Sequence, residues 1–282
     1  MTNFIKPAGA ILVLGLVLAA CSPLHAVNLL VPEAGFERRQ SVPYGELALQ
    51  KLDVYAPRAP SATARPVIVF FYGGGWQDGR RGEYLFAAEA FTARGFVVVV
   101  PDYRKYPEVH YPAFVQDGAR AVAWTVAHVA DYGGDPQRIT LMGHSAGAHI
   151  AAMLVINREF LDAPSRAAVR SWVGLAGAYD FVPSEAPIRA ALTFGGSTDG
   201  AMPVRYVRGG EPPSLLVTGD RDTRVDPENT RSLARRLRQA GSPVEEKHYP
   251  DLTHSTVLLG LASAFRNDAL LDDIERFVRK ND

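Results

Sequence analysis

Ser145, Asp222 and His254 are the side-chain types that acyl transfer needs, and each follows a short apolar run that reads as a strand. Serine is a poor nucleophile until a base takes its proton, and an imidazole does this best when a carboxylate orients it. Ser145 stands in Gly143-His144-Ser145-Ala146-Gly147, between the run Ile139 to Met142 and a helical stretch that begins at Ala146. So tight a strand-to-helix turn admits only small flanking residues. It lifts the hydroxyl above the strand end and aims a helix N-terminus at it. Three carboxylates follow the run Leu215 to Thr218: Asp220 directly at the strand end, Asp222, and Asp226 in the position of a helix cap. That placement favours Asp222 as the acid. Tyr249-Pro250-Asp251-Leu252-Thr253-His254 carries the imidazole on the loop after the last strand.

A tetrahedral oxyanion also needs donors. Tyr72-Gly73-Gly74-Gly75-Trp76 follows a buried strand, and its glycines let backbone N–H groups approach a ligand with no Cβ in the way. A dinucleotide fingerprint does not fit: Gly73, Gly75 and Gly79 are spaced one residue too long, and Trp76 would crowd a pyrophosphate. Of the other histidines, His149 follows the serine by one helical turn and reads as a packing residue, and His144 as a filler of the turn. His110 could line a pocket or sit in solvent, while His25, His128 and His248 fall on the amino-terminal segment, a helix and a strand. Asp102, Arg104 and Asp117 read as structural polar contacts. No metal-binding spacing occurs, and no cofactor is implied.

The elements that must hold these groups alternate short apolar runs with helical stretches, the pattern of a mostly parallel sheet covered by helices on both faces. Leu47 to Tyr55 alternates like a half-exposed edge strand, and Val67 to Tyr72 and Phe96 to Val100 are continuous runs that suit doubly buried strands. Further strands are expected over Trp172 to Leu175, Leu215 to Thr218 and Val244 to Tyr249. Helices are expected over Ala113 to Ala130, Ala146 to Asn157, Pro227 to Ala240 and Asp268 to Lys280. Tyr179 to Pro213 has no clear periodicity, and a loop of that length in a compact domain predicts a lid or pocket wall.

Together these residues resemble the α/β-hydrolase superfamily of serine esterases, with the hormone-sensitive-lipase-like, feruloyl-esterase-like and isoprenylcysteine-methylesterase-like groups nearest. The order Ser145, Asp222, His254 is that of the superfamily, and Gly219, Asp222 and Val225 match its acid-loop frame. Asp102-Tyr103-Arg104, Tyr111-Pro112-Ala113-Phe114 with Asp117, and Gly133-Gly134-Asp135-Pro136 extend the match from about Val42 to the C-terminus. The resemblance implies an α/β-hydrolase fold of about eight strands with a short cap over residues 41–282. It implies an oxyanion hole made by the N–H groups of Gly74, Gly75 and Ala146. It also implies hydrolysis of small to medium esters through an acyl-enzyme on Ser145. An arylformamidase or other amidase would use the same machinery, and a catalytically idle binding protein would share only the fold. One departure is Tyr72, where relatives carry histidine before the glycines.

The chain has 282 residues with 30 basic against 30 acidic side chains, which gives no global attraction to nucleic acid. Its single cysteine, Cys21, excludes an intramolecular disulfide and a cysteine-based cluster. Ala8 to Ala20 is uncharged behind Lys6 and shorter than the ~20 residues a spanning helix requires, which suits a secretory signal. Leu18-Ala19-Ala20-Cys21 resembles the lipobox of bacterial lipoproteins, whose cysteine receives the lipid, and Leu18 is wrong for ordinary signal cleavage before Cys21. The expectation is a signal over residues 1–20 and a linker over 21–40. It includes a membrane anchor at Cys21, placed in the outer membrane if the cell is Gram-negative because Ser22 follows. Oligomeric state is not legible.

Overall fold

The computed structural model describes residues 23–282. Cys21 and the signal expected over residues 1–20 lie outside the described residues. In chain order the elements are α1 (Pro23–Asn28), β1 (Phe36–Pro43), β2 (Lys51–Pro57), β3 (Arg65–Phe71), α2 (Leu85–Thr92), β4 (Val97–Pro101), α3 (Ala113–His128), β5 (Gly134–His144) and α4 (Ala146–Ile156). There follow α5 (Ala163–Ala168), β6 (Val169–Leu175), α6 (Ala186–Leu192), β7 (Ser214–Gly219), α7 (Glu228–Gln239), β8 (Val244–Tyr249), α8 (His254–Leu259) and α9 (Asp268–Asn281). Eight strands form one sheet in the order β1-β2-β4-β3-β5-β6-β7-β8. β1 and β2 run antiparallel to their neighbours, and the pairs from β4 onward are parallel.

That order places the site. The chain leaves β3 toward β4 on one side and leaves β5 toward β6 on the other, so the connections diverge at the carboxyl ends of two adjacent strands. Such a divergence opens a crevice there. Right-handed crossovers then put α2 on one face and α3 and α4 on the other. The closing helix α9 shares the α2 side, where Arg94 pairs with Glu275 at 3.0 Å and Arg266 with Glu89 at 3.2 Å. The central strands are buried from Val67 to Phe71 and from Val97 to Val100, which is why their sequences lack alternation.

Two sequence expectations need correction. The edge strand is Phe36–Pro43, not Leu47 to Tyr55: the latter contributes only its second half to β2, and Leu47 belongs to the preceding turn. β1 buries Phe36 and half-buries Arg38 and Val42 while its other residues are exposed, and because an arginine fills one of the half-buried positions the run Phe-Glu-Arg-Arg-Gln-Ser-Val-Pro shows no apolar alternation. Residues 21–40 are therefore not a linker throughout, since they include α1 and the start of β1. The Asn28 amide fixes α1 to the body by donating to Gly82 O at 2.9 Å and accepting from Phe86 N at 3.2 Å.

The antiparallel edge is joined to the parallel sheet by buried charge. Asp53 on β2 accepts from Arg38 at 2.8 Å, from Ser41 N at 2.8 Å and from Arg81 Nε at 2.7 Å. Arg81 also pairs with Asp102 through its guanidinium, and its backbone N–H donates to the same carboxylate at 2.8 Å. Burial alone would raise the Asp53 carboxyl, but Arg38, the Ser41 N–H and Arg81 outweigh it and hold the group below the usual range. Arg104 and Gln50 satisfy Asp117 in the same way, which agrees with structural roles for Asp102, Arg104 and Asp117.

Removing one partner of a buried pair costs on the order of 3–5 kcal/mol, so Arg81→Met is expected to lower the urea midpoint at neutral pH. A carboxylate with a depressed native pKa contributes stability above its unfolded value and loses it as pH falls through the native one. The gap between Arg81→Met and the parent protein should therefore shrink below about pH 4. A gap that stays constant down to strongly acid pH would rule out the ion pairs as its source.

Candidate active site

Gly143 and Gly147 let β5 turn into α4 within one residue. A methyl group on Gly143 would lie 2.3 Å from Gly147 C, and one on Gly147 would lie 2.0 Å from the Phe71 carbonyl oxygen. Between them Ser145 sits at φ 55° and ψ −120°, a conformation a non-glycine residue adopts only where its surroundings hold it. The bond from Ser145 N to Leu175 O, 2.9 Å, supplies part of that hold. The hydroxyl emerges at the carboxyl edge of the sheet and donates to His254 Nε2 at 3.0 Å.

His254 is the first residue of α8, whose start is fixed by a capping box between Thr253 and Thr256. Its Nδ1–H donates to Asp222 Oδ2 at 2.8 Å. The other oxygen of Asp222 accepts from Arg224 N and Val225 N, both at 2.8 Å, so the carboxylate is held from two directions. Burial would raise the Asp222 carboxyl, yet the bonds from His254, Val225 and Arg224 prevail and keep it below the usual range. Gly219 opens this loop, because a Cβ there would stand 2.1 Å from Leu252 O. The rival carboxylates have other partners: Asp220 bonds His248 at 2.8 Å, and Asp226 accepts from Glu228 N at 2.8 Å at the head of α7.

The glycine segment turns beside the serine. Gly74 at φ 133° lies so close to Asp78 that a Cβ would meet its carbonyl oxygen at 2.2 Å, and Gly75 and Trp76 both take φ 60°. The N–H groups of Gly74, Gly75 and Ala146 have no acceptor among the described residues. Gly73, Gly74 and Gly75 share with Ser145, His144 and His254 the lining of a cleft of about 460 Å³. Its apolar wall is Trp76, Phe181, Val182, Ile188 and Leu258. Trp76 stacks on Phe181 with centroids 6.4 Å apart, and at the mouth Arg224 reaches Glu185 at 2.8 Å. The first half of the aperiodic stretch Tyr179 to Pro213 is thus a cleft wall, and it contains α6.

The structure brings Ser145, His254, Asp222 and the glycine segment, all singled out in the sequence, to one cleft, but their supports were not anticipated. His149 is a packing residue as expected, yet it also accepts from Trp76 Nε1 at 3.3 Å and reaches Ala201 O at 2.6 Å, joining nucleophile helix, glycine loop and cap. Burial pushes its imidazole down to about 4. His110 is exposed and bonds Ala190 O at 2.8 Å, outside the cleft. The spacing of Thr253 and Thr256 is a signal from which the start of α8 could have been read. Among the described residues no cluster of His, Cys, Asp and Glu could hold a metal.

The family model described as BD-FAE matches residues 52–237, which include the glycine segment, Ser145 and Asp222. The chain belongs to the BD-FAE family. His254, which follows the matched residues, completes the constellation. The chain is 27% identical over 271 residues to the probable isoprenylcysteine alpha-carbonyl methylesterase ICMEL1 of Arabidopsis thaliana, covering 86% of this chain and 56% of that one. It is 31% identical over 246 residues to Esterase LipC of Mycobacterium tuberculosis, covering 79% of this chain and 61% of that one. This BD-FAE chain therefore spans little more than half the length of the curated relatives it matches. Among solved structures, the apo form of Thermogutta terrifontis esterase 2 is similar at a TM-score of 0.73 and 26% identity, over 88% of this chain and 96% of that one. The truncated carbohydrate esterase from gut microbiota, at a TM-score of 0.76 and 20% identity over 89% of this chain and 98% of that one, shares the α/β-hydrolase architecture.

The two candidate acids separate cleanly by experiment. Asp222→Asn leaves the geometry and removes the charge, and a loss of about 10⁴ in kcat is expected. Asp220→Asn should leave turnover of the same ester unchanged, and the reverse pattern would reassign the acid.

Proposed function

We propose that this protein is a serine carboxylic-ester hydrolase. The observation that carries the reading is the continuous relay from Ser145 through His254 to Asp222, set beside backbone N–H groups with no acceptor among the described residues, in a cleft with one apolar wall. The esterase names of its relatives and structural neighbours support it. Nε2 of His254 takes the Ser145 proton as Oγ attacks the ester carbonyl, and the charge that develops on the carbonyl oxygen is met by the N–H groups of Gly74, Gly75 and Ala146. Asp222 keeps the Nδ1–H tautomer and stabilises the imidazolium. His254 then protonates the leaving alcohol, and a water molecule activated by the same nitrogen releases the acid from Ser145. The cleft walls suit small to medium esters. The same groups would cleave an activated amide, so a panel pairing aryl formamides with short-chain aryl esters distinguishes an arylformamidase from an esterase.

A fluorophosphonate should label Ser145, located by peptide mass. Ser145→Ala should lose labelling and nearly all p-nitrophenyl acetate turnover, down to the residual rate of oxyanion contacts and binding, about 10³–10⁴ over water. Undiminished turnover in Ser145→Ala would end the proposal.

We also propose export and lipid anchoring at Cys21, in the outer membrane if the cell is Gram-negative. The support is Leu18-Ala19-Ala20-Cys21 behind an uncharged run. Among the described residues no helix is long and apolar enough to cross a membrane. In cells fed an alkyne fatty acid, the full chain should take up label and Cys21→Ser should not; equal labelling of both would refute the anchor.

A further inference from the structure

His144, the residue before the nucleophile, is fully buried between the serine turn and the loop that carries His254. Its Nε2 lies 3.0 Å from the main-chain carbonyl oxygen of His254, and the two imidazole rings are 4.7 Å apart between centroids. A carbonyl can only accept, so Nε2 carries the hydrogen. Nδ1 is then a bare lone pair, and it has no partner among the described residues. It faces Gly73, where an added Cβ would come within 3.0 Å of it. The other tautomer would lose the bond to His254 and bury an unpaired N–H against the glycine loop, so the geometry selects one proton position. Burial, and next the neighbouring His254, push the His144 imidazole down to about 3, so it adds no second positive charge when His254 becomes cationic.

Resting on the esterase reading of this site, we propose that His144 is a positioning residue for His254. Its Nε2–H grips the carbonyl of the very residue whose ring must face both Ser145 and Asp222. The capping box fixes where α8 begins, and Asp222 fixes the ring at Nδ1. His144 is the contact that ties this loop to the nucleophile's own turn, so that the 3.0 Å approach of Nε2 to Ser145 Oγ follows from the fold. Misplacement of a reacting group by about 1 Å can cost on the order of 10²-fold in rate.

Three variants test this. Gln places an amide N–H near Nε2 of histidine, Asn cannot reach that far, and Leu fills the volume without a donor. Expected for His144→Leu and His144→Asn is a fall in kcat of about 10²-fold with KM nearly unchanged, and a parallel fall in the rate of fluorophosphonate labelling. His144→Gln should recover most of both. In proton NMR of the resting protein, the downfield His254 Nδ1–H resonance should persist in His144→Gln and broaden or vanish in His144→Asn. That measurement needs no substrate, so it reports on the positioning even if the wild-type protein proves unable to cleave esters. If His144→Leu does not fold, the Gln and Asn pair carries the comparison. Equal impairment of Gln and Asn, or wild-type rates and resonance in a folded Asn or Leu variant, would overturn the proposal.

Discussion

Everything at the site depends on one backbone-on-backbone contact. Where α4 crosses the end of β3, Gly147 faces the carbonyl groups of Phe71 and Tyr72 with no room for a single methyl group. The contact sets the serine turn and the glycine loop side by side, and on the proposed esterase reading those two segments bracket the same carbonyl of a substrate. Any side chain at Gly147 would push the serine turn away from the glycine loop, whatever the quality of the hydrogen bonds behind Ser145. Adjacent parallel strands with diverging connections supply the crevice, and glycine supplies the approach.

Around that contact, charge is rationed by burial. Asp222 is the one carboxylate held ionised against the imidazole, by three N–H donors from two directions. The two histidines nearest the serine in sequence, His144 and His149, are kept neutral because neither has a carboxylate partner to offset burial. A cation at either position would compete with the imidazolium for the field of Asp222. Each imidazole instead serves as a rigid hydrogen-bonding group, His149 accepting from Trp76 and donating to Ala201 and His144 donating to His254. The larger ionic cluster of Arg38, Asp53, Arg81 and Asp102 lies away from the relay and secures the sheet edge.

The central sheet and the residues that meet in the cleft were legible in the sequence because each leaves a local mark. Doubly buried strands read as unbroken apolar runs, and the serine turn needs glycine at fixed offsets. The acid could be chosen because its rivals stand at a strand end and a helix cap. β1 escaped because a charged residue, Arg38, fills one of its half-buried positions and breaks the apolar alternation. The roles of His144 and His149 escaped for another reason: each is defined by a partner more than fifty residues away, and nothing in the neighbouring residues announces that distance. The cap was legible only as missing periodicity, since short helices held by turns and by contacts with the body have no repeating face.

Tyr72 shows how a departure from a family pattern can be absorbed by the packing around it. Its ring stacks between Tyr103 and Tyr84, at 4.7 and 5.2 Å, and its hydroxyl donates to Asp102 at 2.8 Å. Its carbonyl, one of the two that Gly147 faces, accepts from the Tyr103 hydroxyl at 2.8 Å. The residue before the glycines is therefore engaged by its neighbours and is not part of the cleft lining. It fixes the base of the loop, by stacking above and by a hydrogen bond to the carboxylate that Arg81 also holds. A histidine could make the polar contact but would offer less aromatic surface to two tyrosine rings. The tyrosine belongs with Tyr84 and Tyr103, and the three form one support under the glycine segment, whose Gly74 and Gly75 N–H groups have no acceptor among the described residues.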